Sequence, residues 1–448
     1  MSAILDYFRT GPDVPCTLDP DSVRREFTWR RWSAFLSVTL GYCLFYTCRV
    51  NFSVVKKSLI DDGIFDATDL GVIGSVMLVV YAVGKLTNGF LADRANVKRF
   101  MSAALLGSAL LNLVLGFTPW FWVFVVAWAF NGWCQSVGAA PSVVVLSQWF
   151  SRRERGTFYG MWSTSHNMGE GLTFAVTSFL VAEMGWEWGF WGPGLLCVVA
   201  AVVLSFTLQD RPQTRGLPSV AEYRKDSPDP ANEVLPVGAL QAEVLKSPAI
   251  WILAFASAAM YVARYGINSW GILYLQEGKG YDLETAGSIL AVAPTCGALG
   301  AISSGFISDL WFGSRRNVPA LLFGVALSAA LATLYLGPAD CAWLDTASMA
   351  VFGFSMGVLL VYLGGLMAVD IVSSRAAGAA MGLVGIFSYL GAAIQDSVSG
   401  MLIDAGRVAV EDGPATYDFG PVFWFWFGAS VLSFLLAASV WNAGKRRA

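Results

Sequence analysis

Long apolar runs, separated by short polar and turn-forming stretches, recur along nearly the whole chain. Twelve runs predict helices, with approximate limits 33–54, 69–92, 100–117, 119–149, 156–184, 187–208, 249–275, 283–310, 317–337, 343–373, 377–405 and 418–442. Apolar stretches of this length read as membrane spans. Several exceed the roughly 20 residues that a crossing needs, so tilt or extension past the bilayer is expected. The longest polar stretch, "QDRPQTRGLPSVAEYRKDSPDPANEVLPVGALQAEVLK" at 209–246, is rich in Pro and charge and reads as a linker. It divides the spans six and six. The expected organisation is an N-terminal six-helix bundle with its N-tail at 1–208, a linker at 209–246, and a C-terminal six-helix bundle with its C-tail at 247–448.

Composition supports an all-α membrane protein. Of 448 residues, 56% are hydrophobic and 14% charged, against about 25% charged in soluble domains, and the mean hydropathy is +0.57. The formal charge of −3 gives no reason to expect a nucleic-acid partner. Seven scattered cysteines without a CxxC pair argue against a disulfide framework or a zinc site. No metal cluster, nucleophile constellation or cofactor loop is evident, so neither an enzyme nor a cofactor is expected. The opening "MSAILDYFRTGPDVPC" lacks the pattern of a cleaved signal peptide and reads as a short cytoplasmic tail.

Lys and Arg set the orientation. With both termini in the cytoplasm, cytoplasmic segments hold 22 basic residues and outer loops 4, namely Lys56, Lys57, Lys279 and Arg407. The remainder, Arg49, Lys85 and Arg264, lie inside predicted spans.

The two halves echo each other. "GFLADRANVKR" at 89–99 returns as "GFISDLWFGSRR" at 305–316. Ser151-x-Arg153-x-x-Gly156-x-x-x-Gly160 returns as Ser373-x-Arg375-x-x-Gly378-x-x-x-Gly382. Tyr46-x-x-Arg49 returns as Tyr261-x-x-Arg264. Internal repeats of this kind belong to secondary transporters, whose site lies at the repeat interface near the bilayer midplane. "GFLADRANVKR" also resembles the loop signature of the major facilitator superfamily. In that reading Asp93 and Arg94, and Asp309 in the second copy, help to lock one closed state.

A basic side chain near the bilayer centre costs about 2.5–3.5 kcal/mol. Arg49 and Arg264 each lie roughly 15 residues, or ~22 Å, into their spans. Two guanidiniums at repeat-related positions suit a dianion with several oxygens, and phosphate above others, because the planar fork binds it bidentately. The alternative is a pair of structural arginines, with Glu170 and Asp396 as partners. Lys85 joins the cations, either as a weaker phosphate ligand or in an ion pair. His166, the one histidine, sits beside Asn167 on the fifth span. It reads either as a site residue whose protonation follows the ligand or as a satisfied core group. Tyr42, Tyr46, Tyr81 and Tyr261 share helices with these cations and suit a polar chamber.

The constellation resembles the organophosphate:phosphate antiporter family, over nearly the whole chain. "GYCLFYTCRVNF" is similar to that family's first span, "YAVGK" to its second, "SRRERGTFYGMWSTSHNMG" to its fifth and the preceding loop, and "YVARYGINSW" to its seventh. "DRPQTRGLPSVAEYRKD" resembles the stretch after span six, closest to the sensor branch. The resemblance implies that Arg49, Lys85, His166 and Arg264 are site residues. It further implies exchange of a phosphorylated sugar or glycerol-3-phosphate for inorganic phosphate by alternating access, in a bacterial inner membrane. Val50, Pro294, Met381 and Val384 stand where relatives carry charged residues, and a Gly-Pro pair is missing from "GFSMGVLLVYLGG". These departures leave the substrate's carbon skeleton open.

Two other functions fit the residues. One is a sensor of external hexose phosphate that signals to a membrane histidine kinase, as the linker similarity implies. The other is a proton-coupled organic anion carrier, with Glu170 and Asp396 as candidate coupling acids and His166 titrating beside Glu170.

Overall fold

The structure, a computed structural model, describes residues 7–92, 95–224, 242, 244–312, 316–339, 341–371, 377–408 and 416–441. In the first half, α1 spans Pro20–Asp61, α2 Ala67–Ala92, α3 Val97–Leu115, α4 Phe121–Ser136, α5 Ala139–Trp149, α6 Arg152–Ser163, α7 Ser165–Met184 and α8 Trp188–Thr207. In the second half, α9 spans Pro248–Glu277, α10 Leu283–Phe306, α11 Asn317–Leu336, α12 Ala342–Val361, α13 Ala377–Ala405 and α14 Gly420–Ser439. π-Helical turns at Ile307–Trp311 and Tyr362–Leu366 extend α10 and α12. Among the described residues, eleven helical stretches are long and apolar enough to cross a membrane, so this is a multi-pass membrane protein.

Local chemistry sets the helix ends. Asp19 accepts from the Ser22 N–H at 3.0 Å, and Pro20 opens α1 without a missed hydrogen bond. Asn96 and Asp282 cap α3 and α10 in the same way, accepting from the N–H groups of Arg99 and Thr285. At 42 residues, α1 is about 63 Å long, roughly twice the hydrocarbon thickness. It therefore reaches beyond the predicted span at both ends.

The run expected as one helix over 156–184 is instead α6 and α7, broken at Thr164. Three consecutive hydroxyls cause the break. Ser163, Thr164 and Ser165 donate back to the carbonyls of Gly160, Met161 and Trp162, at 2.7, 2.8 and 2.6 Å. Such back-bonding competes with the helical ladder and bends the chain. His166 follows directly after the bend.

Two compact units result. The first comprises Met1–Arg49, Val80–Glu170 and Phe190–Glu233, and the second Val50–Val79, Gly171–Gly189 and Val234–Ala448. In the first unit, residues 209–224 of the expected linker pack onto the helix ends. Asp210 accepts from Asn96 Nδ2 at 3.1 Å and from the Val97 N–H at 3.3 Å, and its carbonyl accepts from Trp149 Nε1 at 2.7 Å. Tyr223 stacks on Phe27 with centroids 4.1 Å apart. Residues 225–241 and 243 lie outside the described set.

The second unit is held partly by small residues. α10 and α12 approach so closely that a Cβ on Gly353 would overlap the Ala293 carbonyl, the close packing typical of helices in lipid. The same unit joins the ends of α1, α2 and α7 to second-half helices. Asp404 on α13 accepts from the Ala67 and Thr68 N–H groups. Ser75 donates to the Ala393 carbonyl and lies 2.7 Å from Ser397 Oγ. Lys57 pairs with Glu277. A short antiparallel pair, Arg407–Val408 with Thr416–Tyr417, follows α13.

Candidate functional site

Helical spacing puts Tyr42, Tyr46 and Arg49 on one face of α1. Arg49 is 8% exposed. Its guanidinium lies 4.3 Å from the centroid of the Tyr81 ring on α2 and 5.3 Å from that of Tyr46. A desolvated cation–π contact is worth up to ~2 kcal/mol or more. Two such contacts offset much of the ~2.5–3.5 kcal/mol needed to hold an arginine in the membrane. The rings therefore let the charge stay at depth.

The other first-unit candidates gather around this pair. His166 lies 5.8 Å from Tyr46, ring to ring. Tyr42 stands edge-on to Tyr46 at 5.6 Å and stacks on Trp162 at 5.1 Å. Asn167 and Glu170 are buried, and His166 is half-buried. Lys85 is exposed on α2, one turn beyond Tyr81 on the same face.

α1 is clamped immediately before Arg49. The Cys48 carbonyl accepts from Asn131 Nδ2 at 2.9 Å and Asn112 Nδ2 at 3.2 Å. Ser108 donates to Asn131 Oδ1, and Gln135 donates to Ser108. All four side chains are buried. A buried polar network with its members bonded to one another rigidifies its surroundings, and here it fixes the height of Arg49.

In the second unit, Arg264 is also 8% exposed. Its guanidinium lies 5.6 Å from the ring of Tyr265 and 5.8 Å from that of Tyr261. Tyr389 on α13 stands edge-on to Tyr261 at 5.5 Å. The repeated arginine thus carries a repeated aromatic setting. Tyr265 was legible beside Arg264 in "YVARYG"; Tyr389, 125 positions away, was not.

Asp396 is committed elsewhere. Its Oδ1 accepts from Lys56 Nζ at 3.2 Å and from Ser269 Oγ at 2.7 Å, and Lys56 also donates to Ser269 at 2.8 Å. Lys56 Nζ lies 3.4 Å from the Trp270 ring centroid. The expectation that Lys56 belongs to an outer loop is corrected: its side chain is 0% exposed, because α1 continues past the apolar run. α2 admits the pair through glycine, since a Cβ on Gly74 would overlap the Asp396 carboxylate.

On the basic side of the first unit, Glu154 pairs with Arg31 and Arg224, each at 3.1 Å. Burial works to raise the Glu154 carboxyl, but Arg31, Ser151 and Arg224 together hold it below its ordinary range. Arg31 also lies 4.4 Å from the Phe150 ring. The expected gating residues Asp93 and Arg94 lie outside the described residues. Asp309 falls in the first π-helical turn, and its side chain is outside the described set.

Residues 38–395 match the model of the Major Facilitator Superfamily. The membrane sensor protein UhpC of Escherichia coli is 32% identical, covering 87% of this chain and 90% of that protein. A probable hexose phosphate transport protein of Chlamydia trachomatis is 30% identical, covering 96% of each. The glycerol-3-phosphate transporter of Bacillus subtilis is 29% identical over 99% of each. Among solved structures, an inward-facing, unoccupied bacterial homolog of the human lysosomal transporter Spinster aligns with a TM-score of 0.72. It is 18% identical and covers 93% of this chain and 97% of that one.

Proposed function

The chain belongs to the major facilitator superfamily, and we propose that it exchanges a phosphorylated sugar or glycerol-3-phosphate for inorganic phosphate by alternating access. The observation that carries this reading is the pair of buried arginines, each set among tyrosine rings, at repeat-related positions. The relatives it matches are transporters of phosphate esters and a sensor, not enzymes.

In this reading Arg49 and Arg264 bind the phosphate group, one from each six-helix half. His166, Lys85 and Asn167 complete the phosphate end, and Tyr42, Tyr46, Tyr81 and Tyr261 line the chamber. Charge decides between substrates here. A neutral sugar gives no return for two buried guanidiniums, whereas a phosphate dianion neutralises both. The basic side faces the cytoplasm, as the Lys and Arg bias requires, and the membrane is the bacterial inner membrane. The contacts that join α1 and α2 to α9 and α13 then form a closed outer gate.

A competition series tests the substrate class. Unlabelled glucose 6-phosphate, glycerol-3-phosphate, glucose and glycerol are set against labelled-phosphate exchange in proteoliposomes. The phosphate esters should inhibit and the neutral parents should not. Inhibition by glucose equal to that by its phosphate would refute phosphate recognition.

A sensor role is the second reading, favoured by the similarity to UhpC. Purified protein that binds hexose phosphate with no measurable flux would favour it over exchange.

A further inference from the structure

α3 and α8 line a cavity of about 360 Å³ at the basic end of the first unit. Lys98, Arg99 and Ser102 line it from α3, Val202 and Ser205 from α8, and Tyr7 from the segment before α1. Positive charge is concentrated there. Lys98 has Arg99, Arg215 and Arg30 as its charged neighbours. Its hydrogen bond to the Phe206 carbonyl is long, at 3.5 Å. Arg99 donates to the Tyr7 carbonyl at 2.7 Å and lies 4.6 Å from the Tyr7 ring. Neither cation forms an ion pair among the described residues. Asp210 interacts with Arg99, but its carboxylate is engaged by Asn96 and Val97. Arg30 is held by Glu26.

Ser102 supplies a separate sign of a missing partner. It is 7% exposed, and its Oγ has no hydrogen-bond partner among the described residues. A buried hydroxyl without a partner is unfavourable, and such groups are normally satisfied. In this cavity it lies among cations, where an oxyanion would accept its hydrogen bond. The wall further along both helices is apolar and exposed. Leu106 and Val202 are exposed, as are Leu110 and Val199 further along the same helices. A free phosphate would leave that wall uncovered, whereas the acyl chains of a lipid cover it.

We infer that this cavity binds the phosphate of an anionic phospholipid from the cytoplasmic leaflet, with Lys98 and Arg99 as counter-ions and Ser102 as donor. Basic pockets between helices at the cytoplasmic surface are suited to such headgroups.

The full chain, reconstituted in nanodiscs of phosphatidylcholine and phosphatidylglycerol, provides the test. Lipid retained after extraction is identified by native mass spectrometry. Phosphatidylglycerol should be enriched, and Lys98→Gln and Arg99→Gln should each lower that preference about fivefold. Ser102→Leu, which fills the cavity without changing charge, should lower it too, and excess inorganic phosphate should not displace the lipid. Equal retention of both lipids, or enrichment unchanged in all three variants, would overturn the proposal. Displacement by inorganic phosphate, or phosphate binding in lipid-free detergent that is lost with Lys98→Gln, would assign the cavity to the free anion instead.

Discussion

Arg49→Lys and Arg264→Lys should each lower kcat/KM for phosphate exchange by roughly 10- to 150-fold, the equivalent of losing one charge-assisted hydrogen bond of about 1.5–3 kcal/mol. Charge is retained in both variants, so a purely electrostatic role would leave activity nearly intact. Lysine loses two things at once. It cannot bind an oxyanion bidentately, and its ammonium lacks the flat face that stacks on Tyr46 and Tyr81. Arg49→Gln should fall further, because it removes the counter-charge as well. Tyr81→Phe keeps the ring beneath Arg49 and should cost much less. Initial rates of labelled-phosphate exchange across a substrate series check this. Variants that match the parent in rate would remove Arg49 and Arg264 from the binding role.

The second large effect concerns the buried Lys56–Asp396 pair. Asp396→Asn leaves Lys56 buried without its counter-charge, and Lys56→Met leaves Asp396 in the same position. Stranding one member of a buried ion pair costs about 3–5 kcal/mol, whereas replacing both by apolar groups is often neutral. Here the stranded charge has an escape, since parting of the outer gate admits water. Each single variant should therefore shift the population towards the outward-open state, and the Lys56→Met/Asp396→Leu double variant should shift it back. A cysteine at position 75 reports the change, because Ser75 is engaged by Ala393 and Ser397 when the gate is closed. In a background lacking native cysteines, a membrane-impermeant maleimide applied from outside should label it at least about tenfold faster in either single variant, given the size of the penalty. The double variant should react at the parental rate. Parental rates in the single variants, or a double variant as reactive as the singles, would show that the pair does not hold the gate.

Much of the candidate site was legible because charge is so unfavourable in lipid. Arg49 and Arg264 stood out from their apolar runs, and the tyrosine three residues before each repeated with them. Their membership in a twelve-run pattern with a six-six division pointed to the fold that the family match supports. Other features were not legible, for identifiable reasons. Lys56 sits at the end of an apolar run, where a lysine is ordinarily at the surface. Its partner is 340 positions away, and nothing local marks it. Asp396 alone carried a signal, since an acid within a span needs a counter-charge; which cation answers it is a tertiary fact. The break at Thr164 was hidden because Ser and Thr are tolerated in spans, and their back-bonding shows only in the hydroxyl geometry. The stretch at 209–224 reads as a linker by composition. It packs because Asp210 and Tyr223 find partners on helix ends distant in sequence.

Obligatory exchange is measured most directly by trans-stimulation. Purified protein is reconstituted in vesicles with or without internal inorganic phosphate, and entry of labelled glucose 6-phosphate or glycerol-3-phosphate is followed. Uptake should require phosphate inside, should release internal phosphate into the medium as the ester enters, and should disappear in Arg49→Gln. Uptake that proceeds equally well into phosphate-free vesicles would contradict antiport.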